Sequence, residues 1–199
     1  LGTVFTYVLS LFRERKVTSL FSRYGLGWEG GRSWAALLGG FSIAVGMLAL
    51  LTALEIVLGA RTLNIRWDVF SFGKILSYFG AAFLIGVIEE FFFRAIVYNR
   101  LRLASTVVTA FIITNAFYAI VHFLRAKGVI IGETATIVDS FRVYGALLRP
   151  LMKPAAILPG FIGLFLFGSV LSTAYLRTGA LWTSIGVHAG CVFFLKADG

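Results

Sequence analysis

The sequence predicts an all-α fold, a polytopic transmembrane helical bundle, and three observations carry that expectation. Of 199 residues, 59% are hydrophobic and only 14% charged, with a mean hydropathy of +0.91, far from the composition of a soluble domain. Apolar runs of bilayer-crossing length recur between short polar links. Backbone N–H and C=O groups cannot be left unpaired in hydrocarbon, so runs of this length and spacing fold as helices.

The elements follow in chain order. Residues 1–12 form an apolar half-run too short to cross a bilayer, a partial N-terminal span. The basic segment RERKVTSLFSRYGLGWEGGR separates it from residues 34–60, the clearest spanning helix. A polar link, RTLNIRWD, leads to a second helical stretch over residues 70–103, whose basic end YNRLRL emerges at the headgroups. After the turn Ala104-Ser105-Thr106, a third span covers residues 106–124.

Residues 125–155 mix charge, glycine and proline with short apolar groups, and no uncharged window approaches the ~20 residues a crossing needs. The expectation there is a long surface loop or interfacial flap, partly helical, with Pro150 and Pro154 limiting helix length. The last two spans, 156–176 and 180–195, are joined by the tight basic turn RTGA. The count is about five full spans plus the partial one. With no repeat or composition break, residues 1–199 read as a single integral membrane domain.

A net charge of +9 would suggest nucleic acid in a soluble protein. Here the cations cluster between apolar runs, where they match anionic headgroups, so membrane lipids are the expected partners and nucleic acid is not. Basic residues fall almost evenly on both sides, so the charge rule is close to a tie and tilts to a cytoplasmic first basic group only if the long loop is discounted. The single cysteine, Cys191, excludes an internal disulfide and a cysteine-rich metal site, and reads as a packing residue.

Ionisable groups at bilayer depth cost about 2.5–3.5 kcal/mol each on insertion scales, which makes them functional candidates. They are few: Glu55, Glu89, Glu90, Arg94, His122 and His188. Glu55 lies near a span end and reads as solvated. Glu90 and Arg94 stand at i, i+4 with the acid first, the favourable order for a helical ion pair, so Glu90 is expected to neutralise Arg94. Glu89, about 100° round the helix, can face a different neighbour. Both histidines lie in apolar helices. At ~1.5 Å per residue, Glu89 and His122 stand ~24 and ~26 Å from the turn near Ser105, so they can share one depth, and tilt can bring His188 to it. Asn115, Tyr118 and His122 follow i, i+3, i+7 and form one polar stripe. Gly86, one turn before Glu90, admits a close helix.

A carboxylate in a dry site can be tuned to act as a general base for water, while imidazoles move protons or stabilise an oxyanion. Two histidines and a carboxylate also suit zinc or iron, but there is no His-Glu-x-x-His run, and no metal or other cofactor is expected.

Three motifs resemble one family. EEFFFR at 89–94 fits EExxxR, YAIVH at 118–122 fits an aromatic-xxx-His pattern, and LRTGALWTSIGVHAG at 176–190 is similar to the third motif of the CAAX protease and bacteriocin-processing family. These are intramembrane endopeptidases related to the type II CAAX prenyl protease, and the resemblance covers residues 70–194. It implies that Glu89 activates the attacking water, that His122 and His188 support it or stabilise the oxyanion, and that Arg94 is structural. It also implies a membrane-associated or lipidated peptide substrate and a bacterial inner-membrane location. The family commonly has an asparagine four residues after the last histidine, where this chain has Val192. Asn115 is a candidate substitute. A second reading therefore stays open: a catalytically silent member acting as a membrane scaffold or as a partner of other membrane subunits.

Overall fold

The apolar run after the basic segment folds as one helix, Gly31–Val57 (α1), in a computed structural model that describes Ser22 and residues 24–62, 71–125 and 136–198. The partial span expected at 1–12 lies outside the described residues. Ser71, in an extended conformation, starts the second helix, Phe72–Glu90 (α2). This runs on through a π-helical segment, Phe91–Tyr98, into Asn99–Ala104 (α3), giving 33 continuous helical residues.

The Thr106 hydroxyl accepts the Thr109 N–H and caps Val107–Val121 (α4). Ile137–Leu148 (α5) opens on a reciprocal box in which Thr136 and Asp139 each bond the other's backbone N–H. Pro150 sits in the 3-10 turn Arg149–Met152 that follows, and Pro154 begins Pro154–Thr178 (α6), where its missing N–H costs nothing. Gly179, at φ +67, ends α6 in the left-handed conformation with its N–H on the Tyr175 carbonyl. The final helix is Trp182–Asp198 (α7).

The protein is thus a helical membrane protein, with no strand among the described residues. Each of the five expected spans corresponds to a helix. Three are long and apolar enough to cross a bilayer, Gly31–Val57, Phe72–Ala104 and Pro154–Thr178, while α4 and α7 have 15 and 17 residues. The described part of residues 125–155 holds α5, the 3-10 turn and, from Pro154, the first residues of α6, with no spanning helix of its own.

The chain groups into two compact units, residues 1–99 with 171–199, and residues 100–170. In the first, α7 packs against both α1 and α2. Gly186 and Gly190 form a G-x-x-x-G face on α1, and a methyl group on Gly186 would collide with the Leu37 carbonyl. Gly40 answers from α1: a Cβ there would stand 2.5 Å from the Thr183 carbonyl oxygen. Gly86 of α2 lies against Ile185 and Ala189 of α7, the close approach that its position suggested. At the far ends of α1 and α7, Arg61 bridges Asp198 at 2.7 Å and Glu55 at 3.9 Å. At the opposite ends, Trp28 meets Trp34 and Trp182 edge-on, and the Trp182 indole donates to the Gly27 carbonyl. Ile43, Met47, Leu50 and Leu54 remain exposed along one face of α1, as expected of a surface solvated by lipid.

In the second unit, Ala110, Thr114, Asn115, Tyr118 and Ala119 form the buried stripe of α4. Phe123 packs on Gly160 of α6, where a Cβ would come within 3.1 Å of the ring.

Candidate active site

Within the first unit the structure brings Glu89, Glu90, Arg94 and His188 together. The packing of α7 explains why His188 is available. Its glycine face is committed to α1 and its Ile185/Ala189 face to α2, and His188, one turn after Ile185 and next to Ala189, lies on the latter. Glu90 and Arg94 are completely buried and joined by a 2.9 Å hydrogen bond from Nη1 to Oε1, the ion pair that their spacing predicted.

The same Glu90 oxygen is 2.9 Å from His188 Nδ1. A carboxylate only accepts, so the imidazole donates from Nδ1. That fixes the tautomer of a neutral ring and leaves its Nε2 as the acceptor nitrogen. Nε2 stands 3.8 Å from Glu89 Oε2, too far for a direct hydrogen bond but within ion-pair reach of a protonated ring. Both carboxylates therefore address one imidazole from its two edges. Glu89 thus faces a neighbour other than Arg94, and side chains ~100° apart on one helix diverge enough to meet opposite edges of a single ring placed between them. The arrangement also gives Glu90 a second task, orienting His188, that the sequence reading missed. The glycines flanking the histidine in GVHAG are the one sequence signal for it, since they fix which way α7 must turn.

The two acids differ in access. The Glu90 side chain is fully buried, whereas that of Glu89 keeps 29% of its surface open. The chain changes to π-helical geometry directly after Glu90, a local widening often found at functional sites. Ser184, one turn before His188, donates to the Leu181 carbonyl.

Asn115, Tyr118 and His122 belong to the second unit. Asn115 and Tyr118 are buried on α4, and His122 is the capping residue that ends it, two residues earlier than the expected end of the span. His122 Nδ1 donates to the Tyr118 carbonyl over 2.7 Å, and the two rings lie 4.4 Å apart at 52°. As with His188, a neutral ring then presents Nε2 as the acceptor. Among the described residues no three His, Cys, Asp or Glu side chains are grouped to hold a metal ion.

The family model described as type II CAAX prenyl endopeptidase Rce1-like matches residues 71–194, well over half of the chain. No curated protein and no solved structure matches it.

Proposed function

The chain belongs to the Rce1-like family of type II CAAX prenyl endopeptidases, and from that premise we propose that it hydrolyses a peptide bond with Glu89 as the general base. The observation that carries the assignment is the difference between two adjacent acids: Glu90 is sealed and ion-paired, while the Glu89 side chain keeps 29% of its surface exposed, with its buried Oε2 3.8 Å from His188 Nε2.

In the proposed reaction a water molecule gives a proton to Glu89 as its oxygen bonds to the scissile carbonyl carbon. The carbonyl π electrons move to oxygen, and a protonated imidazole or other fixed donor stabilises that oxyanion. When the tetrahedral species collapses, the C–N bond breaks and the proton returns through Glu89 or His188 to the leaving amine. Glu90 orients His188, and Arg94 neutralises Glu90. His122 is the proposed second supporting imidazole, oriented by Tyr118, with Asn115 on the same helix. The substrate we propose is a membrane-associated or lipidated peptide, met at the surface of a bacterial inner membrane. Residues 125–155 are proposed as an interfacial flap.

The test is cleavage of a prenylated peptide by protein reconstituted in lipid, with Glu89→Gln compared against wild type. Val192 supports a second reading, that of a silent scaffold or subunit. Folded wild-type protein as inert as Glu89→Gln would leave the scaffold as the surviving reading.

A further inference from the structure

The second unit contains a pocket of about 530 Å³ walled by the end of α4, α5, the 3-10 turn and α6. Arg125, Arg149 and Lys153 line it together with the apolar Phe123, Pro150 and Leu164, and among the described residues no carboxylate does. None of the three cations has an ion-pair partner among the described residues, whereas Arg142, nearby on α5, is neutralised by Asp139 at 3.1 Å. Three positive charges around a half-apolar cavity, with no described carboxylate beside them, attract an anion that also carries hydrocarbon.

The helix beside the pocket indicates the source of that anion. Ile137, Phe141, Tyr144 and Leu148 recur at i, i+4, i+7 and i+11, all exposed, and Met152 continues the series at 80% exposure. Such a stripe is the face an interfacial helix sinks into the boundary between headgroups and acyl chains. Ala146, half a turn away from Leu148, lines the pocket instead. A helix is ~10 Å across, so with its stripe at the acyl boundary the opposite side stands at the height of lipid phosphates.

We propose that this pocket binds the headgroup of an anionic phospholipid, its phosphodiester held by Arg125, Arg149 and Lys153. Binding is independent of the proteolytic reading. It places a lipid next to His122, which also lines the pocket.

The test uses the full chain purified in detergent, incubated with equal amounts of phosphatidylglycerol and phosphatidylcholine, and examined by native mass spectrometry. Wild type should retain phosphatidylglycerol preferentially. Each cation near an anionic surface is worth about a factor of five, so Arg149→Gln/Lys153→Gln should lower retention about 25-fold, and Arg125→Gln alone about fivefold. The control Arg100→Gln/Arg102→Gln removes equal charge elsewhere and should change little. Circular dichroism verifies that each variant is folded, and the single variant serves if the double one is not. Equal losses in both pairs, or none in the pocket variants, overturn the proposal. So does displacement of the lipid by millimolar inorganic phosphate, which would make the ligand a free anion. Displacement by a short peptide with a free but not an amidated C-terminus would assign the pocket to peptide carboxylates instead.

Discussion

His188 Nδ1 donates to Glu90 Oε1 over 2.9 Å, joining two helices through residues 98 positions apart in the chain. The bond converts an ion pair within one helix into a three-membered chain, Arg94–Glu90–His188, buried throughout. Its far end is the nitrogen nearest Glu89. Several consequences of that chain can be measured.

Glu89→Gln preserves shape and removes the proton acceptor. Positioned acid–base groups typically contribute 10²–10⁴-fold, so cleavage of a reconstituted prenylated peptide should fall at least about a hundredfold. Thermal stability in detergent should stay close to that of wild type, because the side chain is part-exposed. Undiminished cleavage would remove Glu89 from the base role.

Arg94→Ala takes the guanidinium from a fully buried Glu90 and leaves it the His188 hydrogen bond. Breaking such a pair from one side costs about 3–5 kcal/mol, so the variant should show a large drop in thermal midpoint or fail to accumulate. Glu90→Gln/Arg94→Gln removes both charges and should recover part of the loss. Equal stability of the single and double variants would show that the pair is not coupled.

Gly186→Ala puts a methyl group into the Leu37 carbonyl and must push α7 off α1. Overpacking of this kind costs about 1–3 kcal/mol, and the displacement also moves His188 relative to α2. Gly39→Ala, on α1 where a Cβ meets nothing, is the matched control and should be neutral or slightly stabilising. Thermal denaturation of the two proteins checks the difference.

The Thr136 hydroxyl, bonded to Asp139, holds that carboxyl below its ordinary value of 3.8, with the Thr136 backbone N–H and Arg142 acting the same way. A depressed value in the folded helix means that the cap is fully present above 3.8 and is lost as pH falls through the lower folded value. The α5 N-terminus should therefore be indifferent to pH across the neutral range and loosen only in strong acid. The carboxyl ¹³C shift of Asp139 should titrate below 3.8 in wild type and move up in Thr136→Val.

Much of this architecture is legible in the sequence because hydropathy reports helix length and charge marks helix ends. The runs at 34–60 and 156–176 locate α1 and α6 within a few residues, and i, i+4 spacing is enough to pair Glu90 with Arg94. Rotation of one helix about its axis relative to another is not encoded in a run of apolar residues. For that reason the meeting of Glu89 and Glu90 at one imidazole was invisible, although the glycines around His188 set it. Likewise, a π-helical segment carries no composition signal in FFFRAIVY, since the same residues suit an α-helix. The end of α4 at Val121 was missed because Phe123 and Leu124 continue the apolar pattern while the backbone has already turned.

The glycine contact between α1 and α7 bears on modularity. Residues 71–194 carry the family match, yet the surface that fixes the orientation of His188 is completed by Leu37, Gly40 and Phe41, upstream of that segment. Inheritance and mechanics therefore have different boundaries in this chain. A fragment cut at the edge of the homologous region would contain every residue of the proposed chemistry and still lack the buttress that aims it. Transplanting the motifs onto another membrane scaffold would require carrying over a helix with no catalytic residue of its own.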